Sequence, residues 1–232
     1  MNKVTTLLGL SIFLCACSSH HNGASISGLT PSDAEKMSSQ NAKITEAPTP
    51  VLTANTRFAA GQLDQSQGNF SGAIQQYNAA LNINPKHLPS LYCLGVIYAG
   101  QKEYDKSIEI WKRYIAASGN AGYAYGNLGY CYELAGSPAL AEAAYQKGIA
   151  KDSKNAPCRA NYGLLLAHQN KIDQAVRVWT PVLTEAEIHY NLASIYEHNG
   201  RKADAKAEYQ KALHCDPTLI DARARLASLE TQ

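Results

Sequence analysis

Glycine recurs in this chain at a fixed interval: Gly61, Gly95, Gly129 and Gly163 stand 34 residues apart. Each lies in a segment whose apolar residues follow helical spacing, where glycine costs about 1 kcal/mol relative to alanine. So unfavourable a residue, kept at one phase of a repeat, marks a place where two backbones come close. The rest of the period agrees. Counting each unit from Ala54, Leu88, Gly122, Ala156 and Ala186, position 8 holds Gly61, Gly95, Gly129, Gly163 and Ala193. Position 20 holds Ala73, Ser107, Ala141, Ala175 and Ala205, and position 24 holds Tyr77, Trp111, Tyr145, Trp179 and Tyr209. Small residues at 8 and 20 let two antiparallel helices approach, and the aromatic at 24 fills the space beside them. Position 7 (Leu94, Leu128, Tyr162, Leu192) and position 11 (Tyr98, Tyr132, Leu166, Tyr196) complete an inward face at helical spacing.

A helix-turn-helix unit of this period, with small residues at fixed offsets, resembles the tetratricopeptide repeat (TPR) family. The resemblance covers residues 54–219 as five units: 54–87, 88–121, 122–155, 156–185 and 186–219. It implies an all-α protein, a TPR α-solenoid closed by a C-terminal capping helix over 220–232. In that helix Ile220, Leu226 and Leu229 are the residues expected to cover the last unit, since a solenoid needs a polar-backed cap. Unit 1 carries Ala60 at position 7 and Asp64 at position 11, which predicts a weak first helix that itself acts as a cap. Unit 4 is shorter than the rest, and Pro181 falls late in its second helix, where it should end the last turn. Thr184 to Glu187 then reads as a capping box starting the next helix, so altered stacking is expected between units 4 and 5.

The chain begins as a targeting segment. Lys3 precedes an apolar run from about Val4 to Ala16, too short to span a bilayer, which takes about 20 apolar residues. The run ends in Leu14-Cys15-Ala16-Cys17, which resembles the lipobox of bacterial lipoproteins. That resemblance implies a signal peptide over 1–16, a lipidated Cys17, and residence in the bacterial envelope. Ser18 after the cysteine implies the outer membrane, facing the periplasm. Acyl chains contribute about 0.8 kcal/mol per buried CH₂, so several together anchor firmly. Residues 17–53, rich in Ser, Asn, Thr and Pro, lack the apolar content to offset ordering entropy and read as a disordered tether. Such a tether spans about 30 Å. The layout of leader, lipobox, tether and repeats resembles pilus and secretion assembly lipoproteins of the tight-adherence or pilotin type.

Composition and motifs exclude several functions. A net charge of +2 with 17% charged residues gives no basic patch for nucleic acid. No phosphate loop, nucleophile elbow, zinc-protease motif or Cys-x-x-Cys pair occurs, so no catalysis, cofactor or metal is expected. The adjacent His20 and His21 lack a third ligand and read as surface residues. Cys93 and Cys131 fall on similar sides of neighbouring first helices, so they are either a disulfide or two small buried hydrophobes.

The binding signal lies opposite the packing face. Positions 2, 5, 6, 9, 12 and 13 of each first helix point away from 7 and 11 and should line the concave surface of the stack. Position 6 is Asn127, Asn161 and Asn191 in three consecutive units. TPR proteins that hold extended peptides often carry asparagine here, and the resemblance implies backbone contact. An amide offers two donors and an acceptor and so reads a peptide backbone without reading its sequence. The competing role for these asparagines is to bond the neighbouring backbone. Tyr92, Tyr123, Tyr130 and Tyr190 are the expected anchors, with rigid apolar area and a polar tip. Gly126, at position 5, has no evident packing role in the sequence: it either leaves room for a ligand beside Tyr130 or is simply tolerated. The reading is therefore a lipid-anchored, non-catalytic scaffold for an extended protein segment. A peptidoglycan-binding module is the alternative, since a tyrosine-lined groove can also stack sugars.

Overall fold

The computed structural model describes residues 52–119 and 121–231, which form eleven α-helices and, among the described residues, no strand. The leader, the Cys17 lipidation site, His20, His21 and the tether up to residue 51 lie outside the described residues. The helices are α1 (Ala54–Ser66), α2 (Phe70–Ile83), α3 (Leu88–Gly100), α4 (Tyr104–Ala117), α5 (Gly122–Leu134) and α6 (Pro138–Lys151). They continue with α7 (Ala156–His168), α8 (Ile172–Trp179), α9 (Glu185–His198), α10 (Lys202–Cys215) and α11 (Ile220–Glu230). Consecutive helices pair as hairpins, α1 with α2 through α9 with α10, and α11 packs on α10. Among the described residues, no helix is long and apolar enough to cross a membrane.

The turn inside every hairpin is built on one left-handed residue at repeat position 15: Gly68, Lys102, Gly136, Asn170 and Gly200, with φ between 60° and 76°. Glycine meets this φ without strain, Asn170 tolerates it, and Lys102 carries a steric penalty that the surrounding hairpin must hold. Side-chain caps start several helices. Thr53 and Thr56 form a capping box at α1, so the end of the expected tether is structural. Thr184 and Glu187 form a second at α9. Asn69, His87 and Asn155 each accept from a backbone N–H in the first turn of α2, α3 and α7.

The core follows the repeat. Tyr77, Trp111, Tyr145, Trp179 and Tyr209 are all buried, each with its ring against the position-8 residue of its own unit. A Cβ built on Gly61 or on Gly129 would lie 2.5 Å from the tyrosine ring facing it, and one on Gly95 would lie 2.7 Å from Trp111. A second rule couples the two helices of a unit. Where position 24 is tyrosine, position 12 supplies an acceptor. The Tyr77 hydroxyl donates to Gln65 Oε1 at 2.7 Å, that of Tyr209 to Glu197 Oε2 at 2.8 Å, and that of Tyr145 to Glu133. Where position 24 is tryptophan, position 12 is Ala99 or Ala167, and the indole finds its partner elsewhere. Trp179 Nε1 donates to the Ala160 carbonyl at 3.0 Å, and Trp111 bonds the Cys131 thiol. A buried phenol needs an acceptor, whereas the wider indole takes the space that an acceptor side chain would occupy.

Four expectations are resolved here. In α1 only Ala54 and Gly61 are buried, as suits a terminal cap. α8 ends at Trp179, just before Pro181, and its backbone hardly approaches α9, whereas α7 contacts α9 directly. Ile220 corrects the reading of the last helix: it is 75% exposed, and the covering residues are Ala222, Leu226 and Leu229. Ile220 is the first residue of α11, directly after the turn from α10, and its side chain is left to solvent. No disulfide joins Cys93 and Cys131. The Cys131 thiol, pushed above its usual value by burial, lies 3.1 Å from Ser107 Oγ.

The cap of α3 makes stability pH-dependent. His87 is buried. Its Nδ1 accepts from the Ser90 amide at 3.3 Å, while its Nε2 faces Asn55 Oδ1 at 2.9 Å. A protonated ring cannot accept at Nδ1, and burial already lowers the His87 pKa below its usual 6.5. His168 is lowered the same way, by burial and then by its neighbour His198. With folded values below the unfolded one, the unfolded chain binds more protons in this window. Their stabilisation is complete above about pH 6.5 and is lost as pH falls through the lowered folded values. The urea midpoint should therefore drop between about pH 7 and 5, and His87→Asn, which keeps an N-cap without the titrating ring, should flatten part of that slope.

Candidate peptide-binding face

The expected anchors do not form one row. Tyr92 on α3 is half-buried, its ring edge-on to Trp111 at 5.4 Å and 6.4 Å from Tyr114. Tyr123, near the start of α5, is 45% exposed, stacks edge-on to Tyr114 at 5.8 Å, and shares a hydroxyl–hydroxyl hydrogen bond with it. Tyr114 thus joins the two anchors, and burial followed by the Tyr123 bond raises its phenol well above the usual range. Phe58 on α1 flanks the same N-terminal core, 5.4 Å from the His87 ring and 5.6 Å from Tyr77. These residues make a stepped aromatic face across units 1 to 3 whose most accessible ring is Tyr123.

The other two tyrosines have different surroundings. Tyr130 is half-buried, and burial, then Glu133 and Tyr104, raise its phenol. Tyr190 packs 5.7 Å from Tyr209 and meets Asp221 and Arg225 of α11, so the capping helix engages the tip that was expected to face a ligand. Glu133 and Glu197, on the expected concave positions, accept from Tyr145 and Tyr209. Burial raises the Glu133 carboxyl, and the Tyr145 hydroxyl opposes that shift.

The asparagine ladder has unequal rungs. Asn127 and Asn161 are half-buried, while Asn191 is 5% exposed. Cys93, at the same position of unit 2, is likewise buried at 3% exposure, so position 6 is not uniformly open to solvent. Gly126 corrects the sequence reading outright. It is buried, and a Cβ there would lie 3.3 Å from Cys158 Sγ and 3.6 Å from Pro157 Cβ. Here α5 meets α7 directly, with Gly122, Gly148 and Cys158 completing a node of small residues. The glycine that looked like space for a ligand is instead a helix–helix contact, and the aromatic face ends there.

Sequence reasoning missed Tyr114 and His87. The signal for Tyr114 was present: position 27 is Ala80, Gly148, Val182 and Ala212 in units 1, 3, 4 and 5, none larger than valine, but tyrosine in unit 2. An outsized residue at a position otherwise small must project into the junction with the next unit.

A stack of helical hairpins presenting a side-chain-lined face defines the class of α-solenoid interaction scaffolds. The chain is a tetratricopeptide-repeat protein: residues 61–102 match the TPR repeat model, and residues 122–155 and 186–219 match tetratricopeptide repeat models. That fold is generally a non-catalytic protein-interaction adaptor. Tetratricopeptide repeat protein 8 of Caenorhabditis elegans is 24% identical over 164 residues, 68% of this chain but only 32% of that protein. Among solved structures, MamA superposes with a TM-score of 0.59 at 22% identity, covering 72% of this chain and 94% of its own. YrrB, described as a TPR protein with an unusual peptide-binding site, gives 0.54 at 20% identity over 74% of this chain and 91% of its own. PilW, described as a widely conserved type IV pilus biogenesis factor, gives 0.56 at 18% identity over 72% and 79%. At these identities the likeness is one of fold.

Proposed function

We propose that this chain is a lipid-anchored, non-catalytic adaptor that holds an extended protein segment against the aromatic face of its N-terminal units. The observation that carries the reading is the Tyr92–Tyr114–Tyr123 run, in which contacting rings lead from the core to one left 45% exposed. Rigid rings of this kind bind at low conformational cost. Asn127 and Asn161, half-buried next in line, serve as backbone readers. Cys17 holds the scaffold to the outer membrane, facing the periplasm, where an envelope, pilus or secretion assembly supplies the partner. The YrrB and PilW folds lend support by likeness alone.

The test is a displayed peptide library selected on the purified chain. Tyr123→Ala and Tyr92→Ala should each weaken the selected peptides by about fivefold or more, the loss expected of an interface anchor. Asn127→Ala with Asn161→Ala should weaken peptides of unrelated sequence alike. Unchanged affinity in Tyr123→Ala sinks the face assignment. Retention on protease-treated peptidoglycan sacculi, abolished by Tyr123→Ala, would move the reading to a glycan-binding module. Loss of palmitate labelling in Cys17→Ser tests the anchor.

A further inference from the structure

Spacing along the chain hides one group of ligand-type side chains. Glu185 and His189 stand one turn apart on α9, and Cys215 is the last residue of α10. When the two helices pair, a carboxylate oxygen, an imidazole nitrogen and the Cys215 thiol come within 4.8 Å of one another. His189 Nε2 already lies 3.9 Å from Glu185 Oε1. Ligand atoms in a tetrahedral zinc site stand about 3.3–3.8 Å apart, given bonds of about 2.0–2.3 Å. The exposed Glu185 and Cys215 side chains close the remaining distance by rotation, without moving a helix.

A second, independent feature singles out this group from a chance cluster. His189 Nδ1 lies 2.6 Å from Glu208 Oε2, and Glu208 is itself held by Lys211 Nζ at 2.7 Å. Both side chains are largely enclosed, at 21% and 13% exposure. A carboxylate on the far nitrogen fixes the imidazole as the Nδ1–H tautomer and leaves the Nε2 lone pair, on the Glu185 side, to bind an ion. This carboxylate–histidine arrangement orients metal-binding imidazoles in general. The charges also fit: Lys211 offsets Glu208, leaving one carboxylate and one potential thiolate to balance a divalent ion. The same shallow hollow is lined by His214 and opens to solvent.

We propose that Glu185, His189 and Cys215 form a three-ligand site for a divalent transition metal of the zinc class. The site leaves a fourth position open to solvent and is oriented by Glu208. Mixed thiolate, imidazole and carboxylate donors suit zinc over calcium or magnesium, which take oxygen alone. Binding converts the Cys215 thiol to thiolate and releases its proton to solvent. The ion ties the first turn of α9 to the last turn of α10, clamping the unit that follows the loosened α8–α9 junction. This site is independent of the peptide-binding reading.

Cobalt(II) is the probe, added to the full chain purified in detergent and kept reduced. One equivalent should produce tetrahedral d–d bands together with a thiolate-to-cobalt charge-transfer band. Cys215→Ser should remove the charge-transfer band, and Glu185→Gln, another exposed change, should weaken binding at least tenfold. Glu208→Gln should weaken it about 10- to 100-fold while leaving the ligand bands in place. Zinc should raise the thermal midpoint of the wild-type chain and not that of Cys215→Ser. A charge-transfer band that persists in Cys215→Ser overturns the site. So does cobalt binding that survives His189→Gln and disappears when His20 and His21 are replaced, since that would put the ion on the N-terminal histidine pair.

Discussion

Trp179→Ala should cost about 3–5 kcal/mol, the range for deleting a large buried aromatic, against a total stability that for most domains is only about 5–15 kcal/mol. The ring is fully buried, covers Gly163 and donates from Nε1 to the Ala160 carbonyl at 3.0 Å. It is also the last residue of the shortest helix, so little else secures that end of α8 against α7. The damage should be local. Each unit of a solenoid contacts only its neighbours, and stability is close to a sum over units and junctions. Amide exchange should therefore accelerate in α7 to α10, while α1 to α4 keep their protection. A uniform loss across all eleven helices would mean that the array unfolds as one block, contrary to the loosened α8–α9 junction.

Gly148→Ala sets two principles against each other. Helix propensity alone predicts a gain of about 1 kcal/mol for alanine within α6. The surroundings predict the reverse, since a Cβ there would lie 3.0 Å from the Gly122 carbonyl oxygen and from Tyr125 Cβ, and closer still to Cys158 Sγ. Backbone cannot yield as a flexible side-chain end does, so the net result should be a loss of about 1–3 kcal/mol, typical of overpacking. Adding Cys158→Ala removes the closest atom and should recover part of the loss, appearing as a coupling term in a double-mutant cycle under urea. A stabilised Gly148→Ala would show that α5, α6 and α7 do not approach as closely as described. The same node shuts off Gly126, so loosening it should also extend the aromatic face toward unit 4.

The repeat was legible because its signal is redundant. Five small residues at position 8, five at 20 and five aromatics at 24 each specify the same helical hairpin, and no single departure undoes it. The Thr184–Glu187 capping box and the Pro181 break were equally readable, being local chemistry at helix ends. The face was less so, for a physical reason. Whether a first-helix residue reaches solvent depends on how closely the next unit stacks, which is a property of two units together. Thus Asn127 and Asn191 share a repeat position yet differ in exposure, and Gly126 was misread because Pro157 and Cys158 come from the following unit. Ile220 was misread because helical periodicity does not say which first-turn residues a neighbouring helix covers. The cysteine of the cobalt-binding proposal is invisible to spacing for a similar reason: it meets its partners only across a hairpin.

The match between positions 12 and 24 bears on how such a chain can grow. Units 1, 3 and 5 pair tyrosine with glutamine or glutamate, and units 2 and 4 pair tryptophan with alanine. A gene duplication that copies a whole unit carries both members and leaves a satisfied core. A crossover falling between the two helices splices a tyrosine opposite alanine, stranding its hydroxyl, or a tryptophan opposite glutamate, crowding the carboxylate. The array can thus be lengthened or shuffled without a core defect only in frame with its own hairpins.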